Sequence, residues 1–569
     1  MKKTKNALGI KGKLTQYGDK EFSLFIRKSF LRSAGYSDDA LNKPIVGICA
    51  AQSDYNTCHG NINSLIESVK RGILSAGGLP MLFPTISLGE INCYPTSLVY
   101  RNLMSMDVEE MIGAQPMDGC ILIGGCDKTV PAQLMGATSA NILTAQLVTG
   151  PMSTDNFKGE RLGACTDCRS NWMKYRSGLI NKIEITEIEK HLATTHGTCA
   201  VMGTASTMAC ISEILGLMLP GSATIPSTHS DRLRISEQTA YSLTSLIINK
   251  KGIFPKKLIN QKSIENAMVV IQAIGGSTNA LIHLAAIAGR NKIPLDYKKF
   301  NAIAKKIPVL INLKPSGDFY MQDFHAAGGL LALLKELKKY LHLDTKFFNE
   351  KNLGFYLKKK INYIDNKVIK SIKRPLYSDG GLIYLYGNIA PRGALLKISA
   401  GSKKFFEVKA KAFVFDSIEE MSKKIDRQDL DVNENDILVL KNIGPKSPTG
   451  MPESGYIPIP KKLAKKGVKD MIRISDGRMS GSAFGTVVLH VSPDAASFGP
   501  FAIIETGDFI KLSVKNRKIE LCLSDLEISK RLKKLKVPKK KIERGYQKLY
   551  HEHVLQADLG CDFDFLIGK

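Results

Sequence analysis

The sequence predicts an α/β protein in two parts: a large amino-terminal α/β domain of three layers, residues 1–375, and a smaller β-barrel-like domain, residues 376–569. Three observations carry that expectation. Short apolar runs alternate with helix-spaced apolar patterns as far as about residue 300, the pattern of strands joined by crossover helices. From about residue 376 the pattern changes to short β-type runs punctuated by Gly380-Gly381, Gly387, Gly393 and Gly401. A chain of 569 residues is also long enough for two or more domains with large cores.

The elements follow in chain order. Pro44-Ile-Val-Gly-Ile-Cys-Ala-Ala51 is apolar throughout and reads as a buried strand. Residues 62–74 place apolar side chains at helical spacing, and residues 79–83 and 120–123 read as the next two strands. Residues 202–218 form a helix rich in Ala and Met. Residues 268–273 fit a strand or a helix, Gly275-Gly-Ser-Thr-Asn279 a turn, and residues 281–288 a helix. The basic stretch 358–374 has no apolar period and reads as a linker. Beyond it, residues 412–415, 436–440 and 509–514 are strands of the β-rich part.

The formal net charge is +27, from 80 basic and 53 acidic residues. The lysines are spread along the chain, and no aromatic residues interleave with basic runs such as Lys533-Lys534 and Lys539-Lys540-Lys541. A lysine-rich surface is therefore expected, with no nucleic-acid partner, although its field draws anionic substrates. The start, Met1-Lys-Lys-Thr-Lys-Asn, is followed by no apolar core, so no signal peptide is expected. No run approaches the ~18 apolar residues of a membrane helix. Eleven cysteines in such a chain point to metal or catalytic use, not to a disulfide framework, and to a cytoplasmic location.

Three of those cysteines lie in glycine-bounded loops: Cys58 in Ser53-Asp-Tyr-Asn-Thr-Cys-His-Gly60, Cys126 in Gly124-Gly-Cys-Asp-Lys128, and Cys199 in His196-Gly-Thr-Cys199. Three thiolates can hold an iron–sulfur cluster and leave one iron position open, as a Lewis-acid catalyst requires. An electron carrier would be marked by a fourth ligand cysteine, and the sequence places none. Cys165 and Cys168 make a C-x-x-C, either a redox dithiol or half a zinc site, with no second C-x-x-C to complete it. Cys49, Cys93, Cys120, Cys210, Cys522 and Cys561 read as packing residues.

Asp127, Glu90 in Ser87-Leu-Gly-Glu90 and Glu453 in Gly450-Met-Pro-Glu453 are hard oxygen donors that suit Mg²⁺. Lys128 could join them only after modification, for instance to a carbamate. Cys58, Glu90 and Cys126 each follow a strand, where ligand sites of α/β sheets gather. In Ser475-Asp-Gly-Arg-Met-Ser-Gly481 a serine stands among glycines on a turn; as a lone hydroxyl it is a weak base and needs a metal or cation to lower its pKa. Gly444-Pro-Lys-Ser-Pro-Thr-Gly450 and Gly275-Gly-Ser-Thr-Asn279 could offer backbone N–H groups to an anion. Neither is a Walker loop, no G-x-G-x-x-G follows a strand, and His551-Glu-His553 lacks the zinc-protease spacing.

Cys126-Asp-Lys-Thr-Val-Pro-Ala-Gln-Leu-Met-Gly136 and Ile474-Ser-Asp-Gly-Arg-Met-Ser-Gly481 resemble the two signatures of the IlvD/Edd dehydratase family, and the likeness runs from about Leu24 to Leu566. Within that family Thr129-Val-Pro-Ala132, Thr198-Cys-Ala-Val-Met202 and Gly159-Glu-Arg-Leu-Gly-Ala-Cys-Thr-Asp-Cys-Arg169 are most similar to the sugar-acid group of L-arabinonate type. The resemblance implies a [2Fe–2S] cluster on Cys58, Cys126 and Cys199, although three cysteines serve a [4Fe–4S] cluster equally. It implies Mg²⁺ on Glu90, Asp127, a carbamylated Lys128 and Glu453, Ser480 as catalytic base, and Ser482 and Arg478 at the substrate. The implied activity is a hydro-lyase that converts a pentonate such as L-arabinonate to a 2-keto-3-deoxy acid. The alternative is dihydroxy-acid dehydratase of branched-chain amino-acid synthesis. A homodimer or homotetramer with a sugar-acid substrate and no membrane partner is expected. Sugar-acid relatives usually carry Thr where this chain has Ser482, and often Gly-Gly-Pro where it has Ser447-Pro-Thr449.

Overall fold

The structure, a computed structural model, describes residues 8–535 and 542–568. The basic start at residues 1–6 and the lysines at 539–541 lie outside the described residues.

β1 (Ile45–Ala50), β2 (Leu79–Pro84), β3 (Gly119–Gly124) and β4 (Leu143–Val148) form one parallel sheet in the order β2-β1-β3-β4. β1, β3 and β4 are buried along their whole length, which is why their sequences are apolar at every position rather than at alternate ones. Val46, Ile48 and Ile121 enter the core that holds Val69 of helix Ile62–Ser75 and Leu243 of helix Ser230–Ile248. Ile45, Cys49, Cys120 and Leu122 point to the other face, against Val108 and Ile112 of helix Ser97–Ala114. The alternation of side chains across a strand thus generates the three expected layers.

Residues 268–273 belong to a helix, Gln261–Ala273, started by a capping box at Asn260 and Ser263. Residues 202–218 are helical only over Thr204–Ile214. The stretch 358–374 has no helix or strand, yet it is no free linker: Val368 and Ile369 are buried in the first core, and Ile369 bridges Ile311.

After a small hairpin, β5 (Asp155–Phe157) and β6 (Glu160–Leu162), eight strands close into a barrel. They are β7 (Ile383–Gly387), β8 (Ala390–Leu396), β9 (Glu407–Phe415), β10 (Ile437–Leu440), β11 (Ile472–Ser475), β12 (Val487–Ser492), β13 (Phe509–Ser513) and β14 (Lys518–Leu521). The order is β10-β11-β12-β8-β7-β14-β13-β9, closed by parallel pairing of β9 with β10. Ile383, Leu396, Ile437, Ile474, Val488 and Leu512 fill the interior, so the barrel is a packed core with no sheet edge.

The carboxyl-terminal stretch crosses back to the α/β part. Tyr550 of helix Gly545–His553, Val554 and Phe563 pack against Leu98, Val99 and Ile282. The buried Arg290 guanidinium pairs with Asp562 at 2.6 Å. Among the described residues no helix is long and apolar enough to cross a membrane.

Candidate active site

Strand ends deliver most of the expected residues to one place. Cys58 follows β1, Glu90 follows β2, and Cys126, Asp127 and Lys128 follow β3, all at carboxyl ends of the parallel sheet. From the barrel, Glu453 follows β10 and Arg478 and Ser480 follow β11. One oxygen from each of Glu90, Asp127 and Glu453 lies within 4.8 Å of the other two.

Two glycines let the halves meet. Gly450 sits at φ +62°, and a side chain there would come 2.1 Å from Val99 on helix Ser97–Ala114. Only a residue without Cβ lets the loop after β10 settle on that helix and bring Glu453 to Glu90. A Cβ on Gly481 would lie 2.6 Å from the Ser277 hydroxyl and 2.7 Å from the Thr204 amide, so the serine loop is docked on the α/β part by the same device.

Two cations hold the three carboxylates. Lys128 Nζ is completely buried, 2.5 Å from Asp127 and 2.9 Å from Glu90. Arg478 donates from Nη1 to Glu453 at 2.6 Å, from Nη2 to both Glu90 oxygens at 2.9 Å and to Thr96 at 2.6 Å, and from Nε to the Met451 carbonyl at 2.8 Å. Each nitrogen of the Arg478 guanidinium is thus directed at a protein acceptor, and three of these acceptors are carboxylate oxygens of Glu90 and Glu453. Burial alone would raise the Glu90 carboxyl, but Arg478 and Lys128, with Ser97 and Thr96, hold it well below the usual carboxylate range. Glu453 moves the other way: burial, reinforced by Glu90, raises it despite Arg478. Burial and Arg478 press the Lys128 ammonium towards neutrality, yet Asp127, Glu90 and Glu453 raise it above its ordinary value.

Ser480 Oγ lies 2.8 Å from Ser482 Oγ. The Ser482 carbonyl accepts a hydrogen bond from Thr166 at 2.9 Å, and Asn279 donates to the Met479 carbonyl at 3.0 Å. Both contacts fix the serine loop from the α/β side.

The cysteine loops are tied together. His59 Nε2 accepts from the Gly125 amide at 2.9 Å and the Cys126 amide at 3.2 Å, and the Gly197 amide donates to the Thr57 carbonyl. Since Nε2 accepts, Nδ1 carries the proton and donates to the Ala51 carbonyl at 2.5 Å. Burial lowers the His59 pKa to about 4, consistent with a neutral ring. Contact with the Cys126 thiol, then burial, pushes the Cys58 thiol well up. Cys199 lies 2.8 Å from Cys165, sulfur to sulfur. Cys58 and Cys126 thus meet beside Asp127, with the Cys126 thiol 3.3 Å from its carboxylate, whereas the Cys199 sulfur is placed against Cys165; soft thiols next to three convergent carboxylates are the donor types of an iron–sulfur centre and of a hard dication.

Sequence reasoning missed Thr96 and Ser97, which donate to Glu90, as well as His59, Thr166 and the position of Cys165. His59 was signalled only by its place beside Cys58; nothing local marks the others, because their partners are 6 to 316 residues away. A cavity of about 420 Å³ includes Glu453 in its wall, together with Arg169, Trp172, Arg176 and Tyr456.

Two family models cover the chain: the dihydroxy-acid/6-phosphogluconate dehydratase amino-terminal region matches residues 43–356 and the carboxyl-terminal region residues 367–561. The chain is 41% identical to an L-arabinonate dehydratase of Rhizobium leguminosarum bv. trifolii, over 97% of this chain and 95% of that one. It is 40% identical to a 6-deoxy-6-sulfo-D-gluconate dehydratase of Pseudomonas putida, over 93% and 91%. It is 34% identical to a dihydroxy-acid dehydratase of Thermodesulfovibrio yellowstonii, over 94% and 97%. With both family models matched in order and relatives aligned from end to end, the chain belongs to the dihydroxy-acid/6-phosphogluconate dehydratase family and is a hydro-lyase.

Proposed function

We propose that the protein dehydrates an aldonic acid, a pentonate such as L-arabinonate, to the 2-keto-3-deoxy acid. The observation that carries this reading is the meeting of Glu90, Asp127 and Glu453 from two halves of the chain, beside the cysteine loops and the Ser480 loop. The identities favour the sugar acid: 41% and 40% to the aldonic-acid enzymes, 34% to the dihydroxy-acid enzyme.

Cys58, Cys126 and Cys199 would hold a [2Fe–2S] cluster, and Glu90, Asp127, Glu453 and a carbamylated Lys128 would hold Mg²⁺. Bound there, the two centres supply Lewis acidity for the leaving hydroxyl and for the charge that develops beside the substrate carboxylate. Formal charges support the carbamate. Three carboxylates with Lys128 and Arg478 sum to minus one. Turning an ammonium into a carbamate subtracts two, a dication adds two, and the sum is unchanged.

Ser480 Oγ acts as the alkoxide, its charge stabilised by a hydrogen bond from Ser482 2.8 Å away, and becomes a neutral hydroxyl when it takes the proton from C2. The C3 hydroxyl leaves as water with the proton that Ser480 took, which restores the alkoxide, and the enol so formed gives the ketone by losing its C2 hydroxyl proton and gaining a proton at C3. Arg478 holds Glu90 and Glu453 in place. Arg169 and Arg176 attract the anionic substrate into the cavity beside Glu453. Eleven free cysteines suit a reducing cytoplasm, and a homodimer or homotetramer is the assembly proposed.

The test is a substrate panel under anaerobic conditions with Mg²⁺: L-arabinonate and its epimers beside 2,3-dihydroxyisovalerate, with 2-keto acid as readout. Preference for a pentonate is expected. Preference for dihydroxyisovalerate would make the enzyme biosynthetic.

A further inference from the structure

We infer that His229, Asp231 and His325 form a second metal site, for a late first-row divalent ion of the zinc type, which clips together the two segments that brace the Cys199 loop. One donor atom from each of the three side chains lies within 4.8 Å of the other two. Ligands of a tetrahedral zinc ion sit roughly 3.4 Å apart, so the donors would have to close by no more than about 1.4 Å. Two imidazoles and one carboxylate select such an ion over Mg²⁺ or Ca²⁺, which prefer all-oxygen shells.

The rings are placed for it. His229 caps helix Ser230–Ile248: its Nδ1 accepts the Asp231 amide at 3.1 Å and lies 3.6 Å from an Asp231 carboxylate oxygen, so the unprotonated Nδ1 is the nitrogen that would exchange the cap for the ion. The His325 ring stands edge-on to it at 5.6 Å between centroids, and its Nδ1 is hydrogen-bonded to the Thr224 hydroxyl at 3.2 Å. That contact orients the ring as an outer partner orients a metal-bound imidazole. Burial, with His229 and Arg232 adding to it, lowers His325 to about 4, so the ring is neutral and able to coordinate at physiological pH. The exposed Arg234 guanidinium pairs with Asp231 and would have to release it for an ion to bind. The helix N-terminus also opposes a cation, so affinity comes from the imidazoles, and zinc-type ions bind where alkaline-earth ions do not.

The location gives the ion a role. Ser227, two residues before His229, donates from its amide to the Pro151 carbonyl at 2.9 Å and from its hydroxyl to the His196 carbonyl at 2.6 Å. Met321, on the same short helix as His325, donates to the Ala200 carbonyl at 2.7 Å. Residues 196–200, which carry Cys199, are therefore held from both sides by the two segments that the ion would join.

The experiment uses untagged, cluster-loaded protein with Mg²⁺ in excess, equilibrated with Zn²⁺, desalted and analysed for metal, with melting temperature measured in parallel. Wild type is expected to retain one more zinc per chain than His229→Asn, which keeps a good helix cap, or His325→Gln, and to melt a few degrees higher with zinc while the variants do not. Glu453→Gln is expected to keep the extra zinc. Equal zinc in wild type and both histidine variants, or its loss in Glu453→Gln instead, would overturn the site.

Discussion

Ser480 carries the chemistry proposed, and its loop says what its loss should do. Its hydroxyl hydrogen-bonds Ser482 and, among the described residues, no cysteine, so Ser480→Ala removes the base without removing a hydrogen bond to a thiol. Turnover should fall by about 10³-fold or more while the visible absorption of the cluster stays. Cys165 decides between catalyst and electron carrier. It is the thiol beside Cys199, at 2.8 Å, and the sequence offered no fourth ligand. Cys165→Ser should keep the cluster spectrum; its loss would make Cys165 a fourth ligand and close the open iron position. His59 sets a pH dependence. Its folded pKa, about 4, lies below the usual 6.5, so between those values the unfolded chain binds a proton that the folded chain refuses. Stability should therefore fall as pH drops from 6.5 towards 4, by roughly 3 kcal/mol from this residue. Urea midpoints across that window should flatten in His59→Gln, whose amide oxygen can still accept the loop amides; an unchanged slope would refute the assignment. Glu90, Asp127 and Glu453, which the fold brings together, were legible because acids beside glycines stand out in the loops after strands. Thr96, Thr166 and the inward turn of Arg478 were not, since each is defined by a partner distant in sequence.

At the scale of elements, strands were legible where burial on both faces made them continuously apolar. β1, β2 and β3 fall where the apolar runs predict. β4 was overlooked because Thr144 and Gln146 interrupt its run; Gln146 donates to Gln133 and to two backbone carbonyls inside the core. β11 has four residues and runs straight into the serine motif, so its periodicity is too short to read. Residues 268–273 were ambiguous because a buried helix and a buried strand are both apolar at every position. The loop after β10 has the sharpest requirement. Gly450→Ala places a Cβ in the left-handed region and against Val99, and should weaken Mg²⁺ binding at least tenfold by displacing Glu453. Magnesium titration of activity checks this; an unchanged midpoint would mean that the loop is held elsewhere.

Across the whole molecule, the carboxyl-terminal stretch joins what the sequence reads as separate parts. Arg290 is fully buried, and Asp562, the nearest carboxylate, comes from 272 residues away. Asp562→Ala leaves that guanidinium short of its counter-charge and should cost about 3 kcal/mol in chemical unfolding. No composition or motif signals such a pair. The net charge of +27 was legible at once, but it says only that anions are drawn to the surface. What fixes the activity is the assembly of one site from loops of both halves, and one measurement addresses it most directly. Wild type and Ser480→Ala, both cluster-loaded, are mixed anaerobically with L-arabinonate and Mg²⁺ while 2-keto acid and cluster absorption are followed together. The expected result is rapid ketone formation by the wild type and none by the variant, at equal cluster content. An active Ser480→Ala, or a wild type inert towards every pentonate, would contradict it.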